Sequence, residues 1–238
     1  MSASPDFCFL TSSAYPRLQS DYHPILRELQ ARGYSTEVEI WNDQKVDWSA
    51  MGNLVIGSIW DYHQQYDQFK KWLFEAKKTC NIINSPELID WNLKKTYLKA
   101  LENEGVPVIP TLWLGPQSLS DCPWSSVVIK PSLGAGSYGM KKFDLDLQKA
   151  EALTHIESLK ERAPIMVQPK LESVSSEGEF VMVYFDGVFS HAASRPLGGH
   201  EASVDHEIEC STHRKPSKTQ LNIGEKVIAN LPSKPCYA

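Results

Sequence analysis

The chain has 238 residues, 42% hydrophobic and 22% charged, with a formal net charge of −5. That make-up suits a globular protein large enough to bury a core without disulfide or metal staples, and its acidity argues against nucleic acid or an anionic membrane as partner. The five cysteines include no C-x-x-C pair and read as reduced thiols of a cytoplasmic protein. No apolar run approaches the ~20 residues that span a bilayer, and the N-terminus lacks the basic flank and apolar run of a signal peptide.

In chain order, DFCFLTS (6–12) reads as a buried strand. A helix follows over DYHPILRELQARGY, with Tyr22, Ile25, Leu26 and Leu29 on one face, Asp21 as a candidate cap and Gly33 as its stop. STEVEIW alternates polar and apolar residues as a strand does, and LVIGSIW (54–60) is a continuous apolar strand. QFKKWLFEAKK is helical with Phe69, Trp72, Leu73 and Ala76 on one side, and NIIN (81–84) is a short strand. Strands alternating with helices predict a parallel sheet covered on both faces, so residues 1–88 form a small α/β domain.

The next unit, 89–163, opens on WNLKKTYLKALENEG, read as one helix ended by Gly105. VPVIPTLWL is extended but too proline-rich for a central strand. VVIKPS (127–132) is a strand, GAGSYG a loop, MKKF a returning strand and LQKAEALTHIESLKE a helix burying Ala152, Ile156 and Leu159. The third stretch, 164–238, is mostly β: IMVQP is a strand, and Asp186-Gly187 joins FVMVYF to VFSHAAS as a two-residue hairpin. Residues 196–225 are polar and read as a long loop.

Gly134-Ala135-Gly136-Ser137-Tyr138-Gly139 fits G-x-G-x-x-G. A dinucleotide fold needs a helix directly after those glycines and an acidic residue about 20 positions on. Short, charged MKKF follows instead. The other reading is a strand–loop–strand flap, whose glycines let backbone N–H groups approach phosphate oxygens. Ser137 adds a hydroxyl, and Lys130 places an ammonium on the same phosphates, a cation that an acidic protein needs to hold a polyanion. A plain glycine-rich hairpin beside a surface lysine is the bland alternative.

Val128-Ile129-Lys130-Pro131-Ser132 with Ser137, Gly139 and Met140 resembles the matching segment of the ATP-grasp ligases. Trp91-Asn92-x-x-Lys95-x-Tyr97-Leu98, then Gly105-Val106-Pro107-Val108-x-Pro110-Thr111, resembles the start of the grasp domain in the bacterial glutathione-synthetase-like and D-cycloserine cyclo-ligase-like group. Val167-Gln168-Pro169-x-Leu171, the run from Glu177-Gly178-Glu179 through Asp186-Gly187 to His191-Ala192, and Ser58-Ile59-Trp60-Asp61-Tyr62 extend the likeness, in order, from about 54 to 238. The resemblance implies an α/β and α+β ATP-grasp fold: a pre-ATP-grasp α/β domain, then two subdomains that clamp ATP. It implies an ATP-dependent carboxylate–amine ligase acting through an acyl phosphate on an amino-acid or peptide-like substrate, with ATP and Mg²⁺ as cofactors. The alternative is a non-catalytic ATP-binding module or inactive fragment.

By the same resemblance, Lys95 and Lys130 bind the nucleotide, with Lys94 the alternative to Lys95. Gly134, Gly136, Ser137 and Gly139 cover the β- and γ-phosphates. Gln168 and the backbone at Leu171 form the adenine edge, and Glu179, or more weakly Glu172, accepts from the ribose. Arg195 is the catalytic residue facing the transferred phosphoryl group, its alternative a strand-end surface arginine. Trp60 and Asp61 line the substrate pocket or, for Trp60, pack in the core. The magnesium carboxylates of the family are expected beyond Ala238, so no metal ligand is assigned within this chain and its C-terminal end is expected to be truncated. Where relatives carry an arginine-containing segment at 198–215, Arg214 is the candidate substitute. His200, His206, Cys210 and His213 have half a zinc spacing at most and read as a solvated loop. The partners expected are small carboxylate and amine substrates, with no nucleic acid or membrane and a homo-oligomer left open.

Overall fold

A computed structural model describes residues 4–115, 118–159, 164–195 and 211–238. The first sheet is parallel in the order β2-β1-β3-β4, built from β1 (Phe7–Thr11), β2 (Thr36–Ile40), β3 (Asn53–Ile56) and β4 (Asn81–Ile83). Between them run α1 (His23–Ala31) and α2 (Tyr66–Ala76). Trp41, Leu54, Phe69 and Leu73 fill the core beside this sheet. Gly33 ends α1 at φ +87, as its sequence position predicts, whereas the N-cap position falls to Tyr22, one residue after Asp21. The predicted buried face of α1 is only half buried at Tyr22, Leu26 and Leu29, and Ile25 is exposed.

The run expected to be one helix is two: α3 (Pro86–Leu93) and α4 (Tyr97–Asn103). Lys94 pairs with Leu133 in an antiparallel bridge, and Lys95 donates its backbone N–H to the Ser132 carbonyl at 2.8 Å. Those bonds to a distant strand replace helix bonds and break the helix, which no local propensity in LKKT announces.

The second sheet is antiparallel, in the order β5-β8-β6-β7, from β5 (Leu112–Leu114), β6 (Ser126–Pro131), β7 (Lys141–Asp144) and β8 (Ile165–Pro169), with α5 (Lys149–Leu159) between β7 and β8. The strand IMVQP, grouped by sequence with the third stretch, therefore lies between β5 and β6 in this sheet. Strand alternation sorts its residues by face. Val127, Ile129, Ile165, Val167 and Phe143 form the core with Ala152, Ile156 and Leu159 of α5. Lys130 pairs with Met166 and Val128 with Gln168, which places all four on the opposite face.

Beyond β8 come α6 (Glu172–Glu177), β9 (Glu179–Phe185), β10 (Val188–Arg195), β11 (Thr212–His213) and α7 (Lys218–Ala229). β9 and β10 join at Asp186 (φ +50) and Gly187 (φ +73), the left-handed pair that a tight hairpin requires. The loop expected over 196–225 needs correcting in its later part, where β11 and most of α7 lie. Ser217 and Gln220 form a reciprocal capping box there, a start signal that the polar composition obscured. The final residues fold back: Tyr184 and Ala238 exchange backbone hydrogen bonds at 2.8 and 3.0 Å, and Asp186 N–H donates to the Cys236 carbonyl at 2.8 Å. The Tyr237 hydroxyl reaches the Ile56 carbonyl of the first sheet at 3.2 Å. No helix among the described residues is long and apolar enough to cross a membrane.

Candidate functional site

Lys130 stands on β6 with its side chain turned away from α5, and the helix break carries Lys95 to the end of the same strand. Both ammonium groups are held below the usual lysine pKa, by burial first; for Lys95 the charge of Lys130 adds to the effect. Two partly buried cations repel one another in this space, an arrangement that invites a polyanion. The Lys95 ammonium donates to the Gly134 carbonyl at 2.6 Å. Ser132, two residues after Lys130 and bonded through its carbonyl to the Lys95 N–H, is fully buried, and its hydroxyl has no hydrogen-bond partner among the described residues.

The glycine loop leads from β6 into the antiparallel strand β7, with no helix after the glycines. This removes the dinucleotide-fold reading, because no helix N-terminus faces the loop. Gly136 (φ +54), Ser137 (φ +61) and Gly139 (φ +65) all take left-handed conformations. Tyr138 N–H donates to the Ala135 carbonyl and Met140 N–H to the Ser137 carbonyl, each at 3.0 Å. The loop tip touches the segment after β3, where the Tyr138 and His63 rings lie 4.5 Å apart.

Glu179 and Arg195 face each other at the start of β9 and the end of β10, joined at 2.6 Å. Glu179 also draws on Lys130, its charge opposing the downward shift that burial imposes there. The structure thus brings Lys95, Lys130, the flap, Glu179 and Arg195 into one electrostatic neighbourhood spanning two sheets. Gln168 is buried on the Lys130 face of the second sheet and donates to the Thr111 hydroxyl at 2.8 Å. Leu171, three residues on, is 37% exposed at the start of α6.

Other candidates are spoken for. The Lys94 ammonium lies over the Tyr66 ring, 4.2 Å from its centroid. Glu172 pairs with Lys170 at 2.8 Å and Arg214 with Glu177 at 3.5 Å. Asp61 accepts from the indole of core Trp41 at 3.0 Å, while Trp60 is 44% exposed and donates to Gln19 at 2.5 Å, so Trp60 is not a core residue. His200, His206 and Cys210 lie outside the described residues, and His213 sits on β11. Among the described residues no group of three His, Cys, Asp or Glu could hold a metal ion, so magnesium is given no site here. Sequence reasoning passed over His155, buried on α5 beneath the flap; its signal was the helical spacing from Ala152 to Leu159.

Residues 7–84 match the family model of the N-terminal domain of the D-cycloserine synthetase DcsG. The cycloserine biosynthesis protein DcsG of Streptomyces lavendulae is 31% identical over 182 residues, which are 72% of this chain and 61% of that protein. The chain therefore spans about three-fifths of that curated relative. The crystal structure of D-cycloserine synthetase DcsG superposes with a TM-score of 0.81 at 26% identity, covering 94% of this chain and 80% of that one. The ATP-grasp ligase PsnB, solved with the precursor peptide PsnA2 and AMPPNP, gives 0.58 at 15% identity, covering 97% of this chain and 80% of its own, a likeness of fold.

Proposed function

We propose that this chain, whose fold is that of the ATP-grasp ligases, holds a nucleotide site between its second sheet and the β9–β10 ladder that serves an ATP-dependent carboxylate–amine ligase. The observation that carries this reading is the pair Lys95 and Lys130, both shifted by burial and both set at the glycine flap. The ammonium groups neutralise phosphate charge, and the backbone N–H groups and Ser137 hydroxyl of the flap close over the β- and γ-phosphates. Glu179 accepts from the ribose, and Gln168 with the backbone at Leu171 edges the adenine.

The γ-phosphoryl group passes from ATP to a substrate carboxylate, giving ADP and an acyl phosphate. An amine then attacks the carbonyl carbon, loses its proton and expels inorganic phosphate as the C–N bond forms. Arg195 stabilises charge on the transferred group, and positioning supplies most of the rate. The name of the similar synthetase points to an amino-acid-derived carboxylate as the substrate class. Magnesium, when bound with ATP, screens the phosphates; no step is assigned to it through these residues. The four described cysteines are free thiols, which accords with a cytoplasmic protein.

The test is thermal unfolding of the chain with and without AMPPNP and Mg²⁺, with Lys130→Ala beside it. A stabilisation by AMPPNP that the variant loses supports the site. No stabilisation of the wild type overturns it. Binding without ADP release, across amino acids and dipeptides, favours a non-catalytic nucleotide module.

A further inference from the structure

His155 lies on the core face of α5 with 8% of its surface exposed, among Ala152, Ile156, Leu159 and the ring of Phe143, 5.6 Å away. An imidazole in such surroundings is costly unless its polar atoms are used. Its Nε2 lies 2.9 Å from the carbonyl oxygen of Gly139, the last residue of the glycine flap. A carbonyl can only accept, so Nε2 carries the proton. Burial holds the imidazole below its ordinary pKa, outweighing the opposite pull of the Gly139 hydrogen bond, and the charge of Lys141 adds to the lowering, so the neutral ring is favoured near pH 7.

Gly139 is itself wedged. A Cβ there would meet the Pro131 ring at 3.0 Å and Leu159 at 3.1 Å, so the backbone presses against β6 and α5 at φ +65. The peptide unit from Gly139 to Met140 is a plane. His155 donates to its oxygen on one side, and on the other its N–H, that of Met140, donates to the Ser137 carbonyl at 3.0 Å. Hydrogen bonds in such a chain polarise and orient one another. The orientation of one buried ring thereby reaches Ser137, held at φ +61, two residues inside the flap. The other end of the flap is held by Lys95 on the Gly134 carbonyl.

We infer that His155 is a positioning residue for the phosphate flap, setting Ser137 and the flap N–H groups through the Gly139–Met140 peptide, and this rests on the nucleotide site proposed above. His155 touches no nucleotide in this reading. It acts only on the part of the ligand that the flap covers, the β- and γ-phosphates.

The test compares AMPPNP with AMP, each titrated with Mg²⁺ into the wild type, His155→Phe and His155→Gln. Phenylalanine keeps the ring packing and removes the donor; glutamine places an amide N–H near the position of Nε2. The expected result is AMPPNP affinity lowered on the order of tenfold by His155→Phe, AMP affinity unchanged, and most of the loss recovered in His155→Gln. Amide exchange at Met140 should rise by roughly the same factor in His155→Phe without any nucleotide. Equal losses for AMP and AMPPNP, or no loss for either, would overturn this inference and leave the nucleotide site standing. Failure of the wild type to bind AMPPNP would overturn both. Should His155→Phe not fold, His155→Gln alone decides: retained AMPPNP affinity and Met140 exchange support the inference, and their loss overturns it.

Discussion

Arg195 closes the β9–β10 ladder against Glu179 at 2.6 Å, and the same carboxylate pulls on Lys130 of the neighbouring sheet. Two residues with separate expected roles, one for the ribose and one for the transferred phosphoryl group, are thus partners. Both side chains are well over a third exposed, so the pair contributes only about 0–1 kcal/mol to stability. Glu179→Gln should leave the unfolding midpoint within a few degrees of wild type. It should still weaken AMPPNP binding by about tenfold, because it replaces a charged acceptor by a neutral one and loosens the Arg195 pairing. Parallel thermal unfolding and nucleotide titration check this; a large loss of stability with unchanged affinity would reverse the assignment.

Lys130→Met should raise the stability of the nucleotide-free protein, by roughly 0.5–2 kcal/mol, while abolishing stabilisation by AMPPNP, since a buried cation held near another is retained at a cost. The pH dependence has a definite sign. The folded-state pKa of Lys130 lies below its ordinary value of 10.5, so in the alkaline window between them the unfolded chain binds more protons. Wild-type stability from this group therefore recovers as pH rises through the folded pKa towards 10.5. The advantage of Lys130→Met over wild type in urea unfolding should shrink from pH 8 to pH 10.

Asn84 stands at φ +64 and holds the returning C-terminal segment. Its side chain accepts from the Cys236 and Tyr237 N–H groups, at 2.7 and 3.4 Å, and donates to the Tyr237 carbonyl at 2.9 Å. Asn84→Ala loses these bonds and puts a Cβ residue less suited to the left-handed region in place. The expected cost is about 2–4 kcal/mol in denaturant unfolding. Asn84→Gly, which relieves the backbone and still loses the bonds, should cost less.

Gly224 on α7 faces Tyr184 of β9, and a Cβ added there would come within 1.9 Å of the tyrosine hydroxyl oxygen. That hydroxyl is buried and has no hydrogen-bond partner among the described residues. Gly224→Ala should therefore destabilise by about 1–3 kcal/mol, although alanine is the better helix former. Tyr184→Phe should be neutral or stabilising, and the double variant should recover part of the loss. Additive losses in this cycle would show that the hydroxyl is not the obstacle.

Much of the fold was legible because its signals are local. Periodicity located β1, α2, β6 and α5, and Asp186-Gly187 located the hairpin, since two residues with positive φ are a chemical requirement of that turn. The flap and Lys130 were legible because glycines after a strand, followed by a segment too short and charged for a helix, leave few other structures. α7 was missed although its capping box is written in Ser217 and Gln220, because the polar run before it drew the whole region into a loop.

What only the tertiary structure decided is how distant segments meet. The helix break at Lys94–Thr96 depends on backbone bonds to Ser132 and Leu133, nearly forty positions away, so no propensity within LKKT could show it. That break brings Lys95 beside Lys130, and burial of the pair shifts both ammonium groups. The Glu179–Arg195 pair depends on hairpin register, and the grip of His155 on Gly139 depends on α5 lying beneath the flap. Residue identity determined which groups could carry charge and donate hydrogen bonds. Long-range packing determined which of them share one space, because burial and register are properties of the assembled sheets.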